Sequence, residues 1–174
     1  MLDTLKGLLT HQYEASLSML HLAISRCPDA NWNEPVANLK FCQAAFHVVF
    51  FGDVYLQPGD EVDALKRQPF HVEHTSDFRD YEELEDRAQV LLYDKPFVLN
   101  YLRFVRRKAG ETIARETADV LAGPSGFARR KCSRAELHVY NIRHIQHHAA
   151  QLILRLRLDT EVDIPWVGHE WKEV

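Results

Sequence analysis

The sequence predicts an all-α protein, a four-helix bundle with a long connection between its second and third helices. Three observations predict it. Apolar residues recur at steps of three and four in four separate stretches, strong breakers divide those stretches, and no β-type alternation of useful length competes. Four long amphipathic segments bury their apolar stripes most economically against one another. The chain has 174 residues, which sustains one substantial core, so a single domain over 1–174 is expected.

The first helix covers residues 2 to about 25, where Leu2, Leu5, Leu9, Tyr13, Leu17, Leu20 and Ile24 share one face. Pro28 and the polar run 29–34 end it. A second helix runs from about residue 38 to 56 with Leu39, Phe46, Phe50 and Val54 on one side and His47 in the same stripe, and Pro58-Gly59-Asp60 closes it. Residues 61–77 are polar and aperiodic, a long excursion that a short helix over about 80–92 interrupts. Asp94 ahead of Pro96 starts the third long helix, which Phe97, Tyr101, Phe104, Lys108, Thr112, Ile113 and Leu121 carry to about 122. Gly123-Pro124-Ser125-Gly126 is the strongest breaker in the chain. Ser133-Arg134-Ala135-Glu136 has the form of a capping box, and Leu137, Tyr140, His144, His148, Gln151, Leu152 and Leu158 extend the fourth helix to about 158. The tail, with Pro165, Trp166 and Trp171, reads as irregular.

Composition narrows the function. Hydrophobic residues make up 46% and charged residues 26%, with only 7 Gly and 7 Pro, which excludes a disordered or fibrous chain. A net charge of −4 lacks the positive field that duplex binding needs, so no nucleic-acid partner is expected. Cys27, Cys42 and Cys132 are odd in number and widely spaced, as in a reducing cytoplasm, and no signal peptide or membrane span is read. The basic groups Arg103, Arg106, Arg107, Lys108 and Arg129, Arg130, Lys131, Arg134 read as a solvated helix face and loop, with recruitment of an anionic cofactor as the alternative. No Gly-rich phosphate loop, GxSxG elbow or HExxH helix is present.

Ten histidines stand out, and His144 with His148 forms the informative pair. Four residues on an α-helix advance by about 400°, so the two imidazoles lie one turn apart on one face and can chelate one ion. His47, on the apolar stripe of the second helix, is the candidate third ligand if that stripe packs against the fourth helix. Three neutral nitrogens suit Zn²⁺, Ni²⁺, Fe²⁺ or Mn²⁺ and leave positions open for water or substrate. Taken singly, each ring is more often a hydrogen-bonded core residue. His147 offers a competing pair with His144, and His169 in the tail is a further ligand candidate. His11, His21, His71, His74 and His138 have no paired spacing and read as surface or packing residues.

The segment from Asn141 to Leu152, with His144-Ile145-Gln146-His147-His148 followed by Ala149-Ala150-Gln151, resembles the last-helix motif of the DinB-like (DinB/YfiT) superfamily. Ala44-Ala45-Phe46-His47 resembles that family's second-helix motif, and the similarity extends in outline over the four helices. The resemblance implies a four-helix bundle of DinB/YfiT type, often a homodimer, with a divalent metal on His47, His144 and His148. It also implies a small-molecule substrate and, in some members, a low-molecular-weight thiol used by S-transferases. The competing expectation is a non-catalytic metal-binding or interaction bundle acting through a dimer face.

Overall fold

In the computed structural model, residues 1–81 and 90–172 are described, and they are mostly helical. α1 (Leu2–Arg26) matches its expected span. The next helix starts later than its periodicity suggests. A two-stranded hairpin, β1 (Pro35–Val36) and β2 (Leu39–Lys40), precedes it and turns at Ala37, whose φ is 54°. α2 (Phe41–Val54) then begins where the Gln43 side chain accepts the Lys40 N–H at 2.9 Å. The aperiodic excursion contains α3 (Val62–Lys66) and α4 (Pro69–Glu73), each too short to show a period, and a 3₁₀ turn at Thr75–Tyr81. The short helix expected over 80–92 falls largely outside the described residues.

α5 (Lys95–Arg115) is capped by the Asp94 carboxylate, which accepts the Phe97 N–H at 2.6 Å. It stops seven residues before its expected end, at an extended Glu116, and α6 (Ala118–Ala122) is a separate helix capped by Thr117. The interruption has a cause: Glu116 is drawn inward to meet Arg134 and His138. α7 (Arg134–Thr160) opens at Ser133, whose Oγ accepts the Glu136 N–H at 3.1 Å. Its buried stripe is Leu137, Asn141, Ile145, Ala149, Leu152 and Leu156, whereas Leu158 is 70% exposed and lies off the core.

α1 and α2 each pack against both α5 and α7 around one apolar core. At its centre the fully buried Phe46 stacks on Tyr93 with ring centroids 3.8 Å apart. The tail returns along α1, where Ile164 and Val167 are buried and Lys172 bonds the Ser18 hydroxyl. Trp171 packs on His21 and under Arg106, whereas Trp166 is 71% exposed. All three cysteines are free thiols, and no helix among the described residues is long and apolar enough to cross a membrane.

Two buried carboxylates organise the interior. Asp53 accepts hydrogen bonds from His71 Nε2 (2.7 Å) and the Tyr101 hydroxyl (2.8 Å) and pairs with Lys108. Burial alone would raise its pKa, yet His71 and Lys108 hold it below the usual carboxylate range. Glu116 meets Arg134 Nε at 2.7 Å and His138 Nε2 at 2.9 Å. Tyr13, which burial keeps protonated, completes the chain by donating to His138 Nδ1 at 3.0 Å. Lys108 and Arg134 therefore do not belong to a solvated basic face: both are committed inside the protein.

Candidate metal centre

Helix register decides whether the three histidines can meet. Asn141 Nδ2 donates to the Gly52 carbonyl at 2.9 Å. The Arg134 guanidinium donates to the carbonyls of Tyr55, Leu56 and Gln57 at 2.7–3.1 Å, closing the otherwise open C-terminal end of α2. These bonds align α2 antiparallel to α7, because rising positions on one helix face falling positions on the other. Continuing the same register back along α2 brings His47 opposite His144 and His148.

His47, His144 and His148 each present a ring nitrogen, and the three nitrogens lie within 4.8 Å of one another. Their ring centroids are 4.7 to 5.7 Å apart. A tetrahedral ion with bonds of about 2.0–2.1 Å would draw such nitrogens to about 3.3–3.4 Å, a closure within reach of small side-chain torsions. The cluster could hold a metal, and the chemistry of the rings fits one. His144 Nδ1 is buried without a hydrogen-bond partner, and His47 makes no hydrogen bond among the described residues. His148 differs, because its Nδ1–H donates to Gln151 Oε1 at 2.8 Å. That bond fixes the ring orientation and leaves Nε2 with its lone pair free, the arrangement of an oriented metal ligand.

Burial, reinforced by the neighbouring imidazole of His148, lowers the His47 pKa to about 4. Burial, with the charges of His148, His47 and His147, lowers His144 to about 3. His148 is also lowered, chiefly by burial. At neutral pH His47 and His144 thus keep their lone pairs unprotonated, as ligation requires.

The other histidines fall elsewhere. His147 is exposed and accepts from Gln151 Nε2 at 3.1 Å, so the same glutamine tethers it beside the cluster and outside it. His169 is exposed, with Glu170 3.7 Å away, and takes no part. His71 and His138, with no sequence pattern to distinguish them, are the hubs of the two carboxylate networks. Only the side-chain partners reveal this role, and neither Asp53 nor Glu116 lies at a helical spacing from its histidine.

The cluster opens on a cleft of about 810 Å³. Phe50, Phe51 and Phe127 give it apolar walls, and Tyr55, Tyr140 and Arg130 line it as well. Sequence reasoning missed Tyr55 and Tyr140 as site residues and named Arg130 only within a basic loop whose alternative role was to recruit an anion. Tyr140 carried a signal in its position one helical turn before His144, and Tyr55 carried none.

No family model, no curated protein and no solved structure matches the chain.

Proposed function

We propose that the chain is a divalent-metal protein of the DinB/YfiT-like four-helix-bundle type, whose ion is held by His47, His144 and His148. The single observation that carries this reading is the approach of three ring nitrogens, from helices about a hundred positions apart in sequence, to within 4.8 Å at the wall of a substrate-sized cleft. Zn²⁺, Ni²⁺, Fe²⁺ and Mn²⁺ all suit a donor set of neutral imidazoles. The bound ion would supply Lewis acidity, holding a thiol as thiolate or lowering the pKa of water.

The reaction class we favour is thiol S-transfer or hydrolysis of a small electrophile. Three neutral ligands leave the ion's double positive charge uncompensated, so the site favours an anionic nucleophile. Gln151 holds the His148 ring in place, while Phe51 packs on His47 at 4.8 Å between ring centroids and shields it from water. An open cleft beside the cluster supports catalysis over the alternative, a non-catalytic metal-binding or interaction bundle, because an ion serving only to fix packing is normally enclosed by protein ligands. A homodimer completes the reading on the family resemblance, and a cytoplasmic location on the three widely spaced free cysteines.

Metal analysis of the purified protein, followed by a thiol-transfer and hydrolysis screen with and without chelator, tests the proposal. The expected result is one ion per chain and an activity that chelator removes. A protein that takes up no metal from any of the four ions refutes it.

A further inference from the structure

Arg130 is held in place by two aromatic side chains and meets no carboxylate among the described residues. Its Nη2 donates to the Tyr55 hydroxyl at 3.1 Å, and its guanidinium carbon lies 4.4 Å from the Tyr140 ring centroid. No ion pair of Arg130 occurs among the described residues. A guanidinium has five N–H donors, so this stacking and single bond leave most of the fork unused.

The loop that carries it is fixed. Gly126 has φ +85°, and a Cβ there would stand 1.9 Å from the Pro58 carbonyl oxygen, so the backbone presses directly on the end of the α2 connection. Ser125 Oγ donates to the Arg130 carbonyl at 2.7 Å, and the Ala128 N–H reaches Asp60 at 3.0 Å. The exposed Asp60 and Glu61 also line the cleft, and Asp60 already accepts the Ala128 N–H. Tyr140 lies four residues, about 6 Å along α7, before His144, so the ring on which Arg130 stacks is one turn from the nearest of the three imidazoles.

We infer that Arg130 is the anchor for a carboxylate on the substrate, so that the cleft takes a small acid with an apolar or aromatic body and directs its other end toward the three histidines. This rests on the proposed metal reading only for what happens at that other end. The carboxylate would accept a forked pair of charge-assisted hydrogen bonds, which a neutral amide of the same shape cannot match. The aromatic walls would cover the body of the molecule.

Phenylacetate and phenylacetamide are the probes, titrated by calorimetry or NMR into the metal-free and the metal-loaded protein. The acid is expected to bind roughly tenfold or more tightly than the amide, a difference of about 1.4 kcal/mol. In Arg130→Gln that preference should vanish, and in Arg130→Lys, which keeps the charge and loses the fork, it should be reduced. Circular dichroism and metal content unchanged in both variants would show the fold and the cluster intact. In the metal-free protein, where no ion competes for the carboxylate, equal binding of acid and amide by the wild type, or a preference that survives in Arg130→Gln, overturns the assignment. An Arg130-dependent preference in a protein that binds no metal would sustain the anchor and defeat the metal reading alone.

Discussion

Two sets of imidazoles in this molecule, one buried and one partly buried, are built on opposite plans. His71 and His138 each face a carboxylate, Asp53 or Glu116, and each carboxylate is closed by a further cation and bonded within the core. His47, His144 and His148 face one another, with no acid among them. The first plan satisfies every partner and ties helices together: Asp53 joins α2 to α4 and α5, and Glu116 joins the α5 end to α7. The second gathers three ring nitrogens within 4.8 Å of one another and leaves His144 Nδ1 buried without a hydrogen-bond partner. The two sets differ in burial, and what each ring faces differs with it: an acid for the buried pair, other imidazoles for the partly buried three.

The largest effect should come from the second set. His144→Ala or His148→Ala is expected to abolish stoichiometric metal binding while His21→Ala leaves it unchanged. Equal metal content in the three purified variants would refute the three-histidine site. Next, Asp53→Ala or Glu116→Ala should lower stability by about 3–5 kcal/mol in urea unfolding, because each strands buried cations. A loss below about 1 kcal/mol in either would mean that the networks do not hold the fold.

Smaller is the effect of Gln151→Ala, which should weaken metal affinity by about 10–100-fold through a misoriented His148, as competition with a chromogenic chelator would measure. An unchanged affinity would place His148 outside any ligand set. Smallest is the pH response of the metal-free protein. His47 and His144 have folded pKa values of about 4 and 3, below the ordinary 6.5, so the unfolded chain binds more protons between those limits. Stability should therefore be full above about pH 6.5 and fall as the pH drops toward 4, modestly because the rings are partly exposed. Urea midpoints across that range, in wild type and His144→Leu, test the sign; a midpoint that rises on acidification contradicts it.

Much of this was legible in the sequence because it is periodic. The spacing of His144 and His148, the stripe that carries His47 and the Ser133 cap are all local patterns, and the structure reproduces them. The break at Glu116 was not legible, because helical spacing continues through it and only a partner in α7 pulls it inward. The hairpin ahead of α2 escaped notice for a different reason: two residues per strand give alternation nothing to register. Lys108 and Arg134 looked like members of basic surface clusters, since charge runs carry no mark of which member is buried. Pairings between distant positions, such as Tyr13 with His138, have no signature in a single chain.

The Asn141–Gly52 bond gives the molecule something like a vernier. One residue of slip between α2 and α7 would translate the facing rings by about 1.5 Å and turn them by about 100°, and the three nitrogens would no longer share a centre. On the proposed metal reading, ion uptake would gauge native alignment and would be sensitive to displacements that leave helix content untouched. Expanded states that keep their helices but lose their fixed packing would read as empty, so a simple metal assay could score misassembled material that circular dichroism passes as folded.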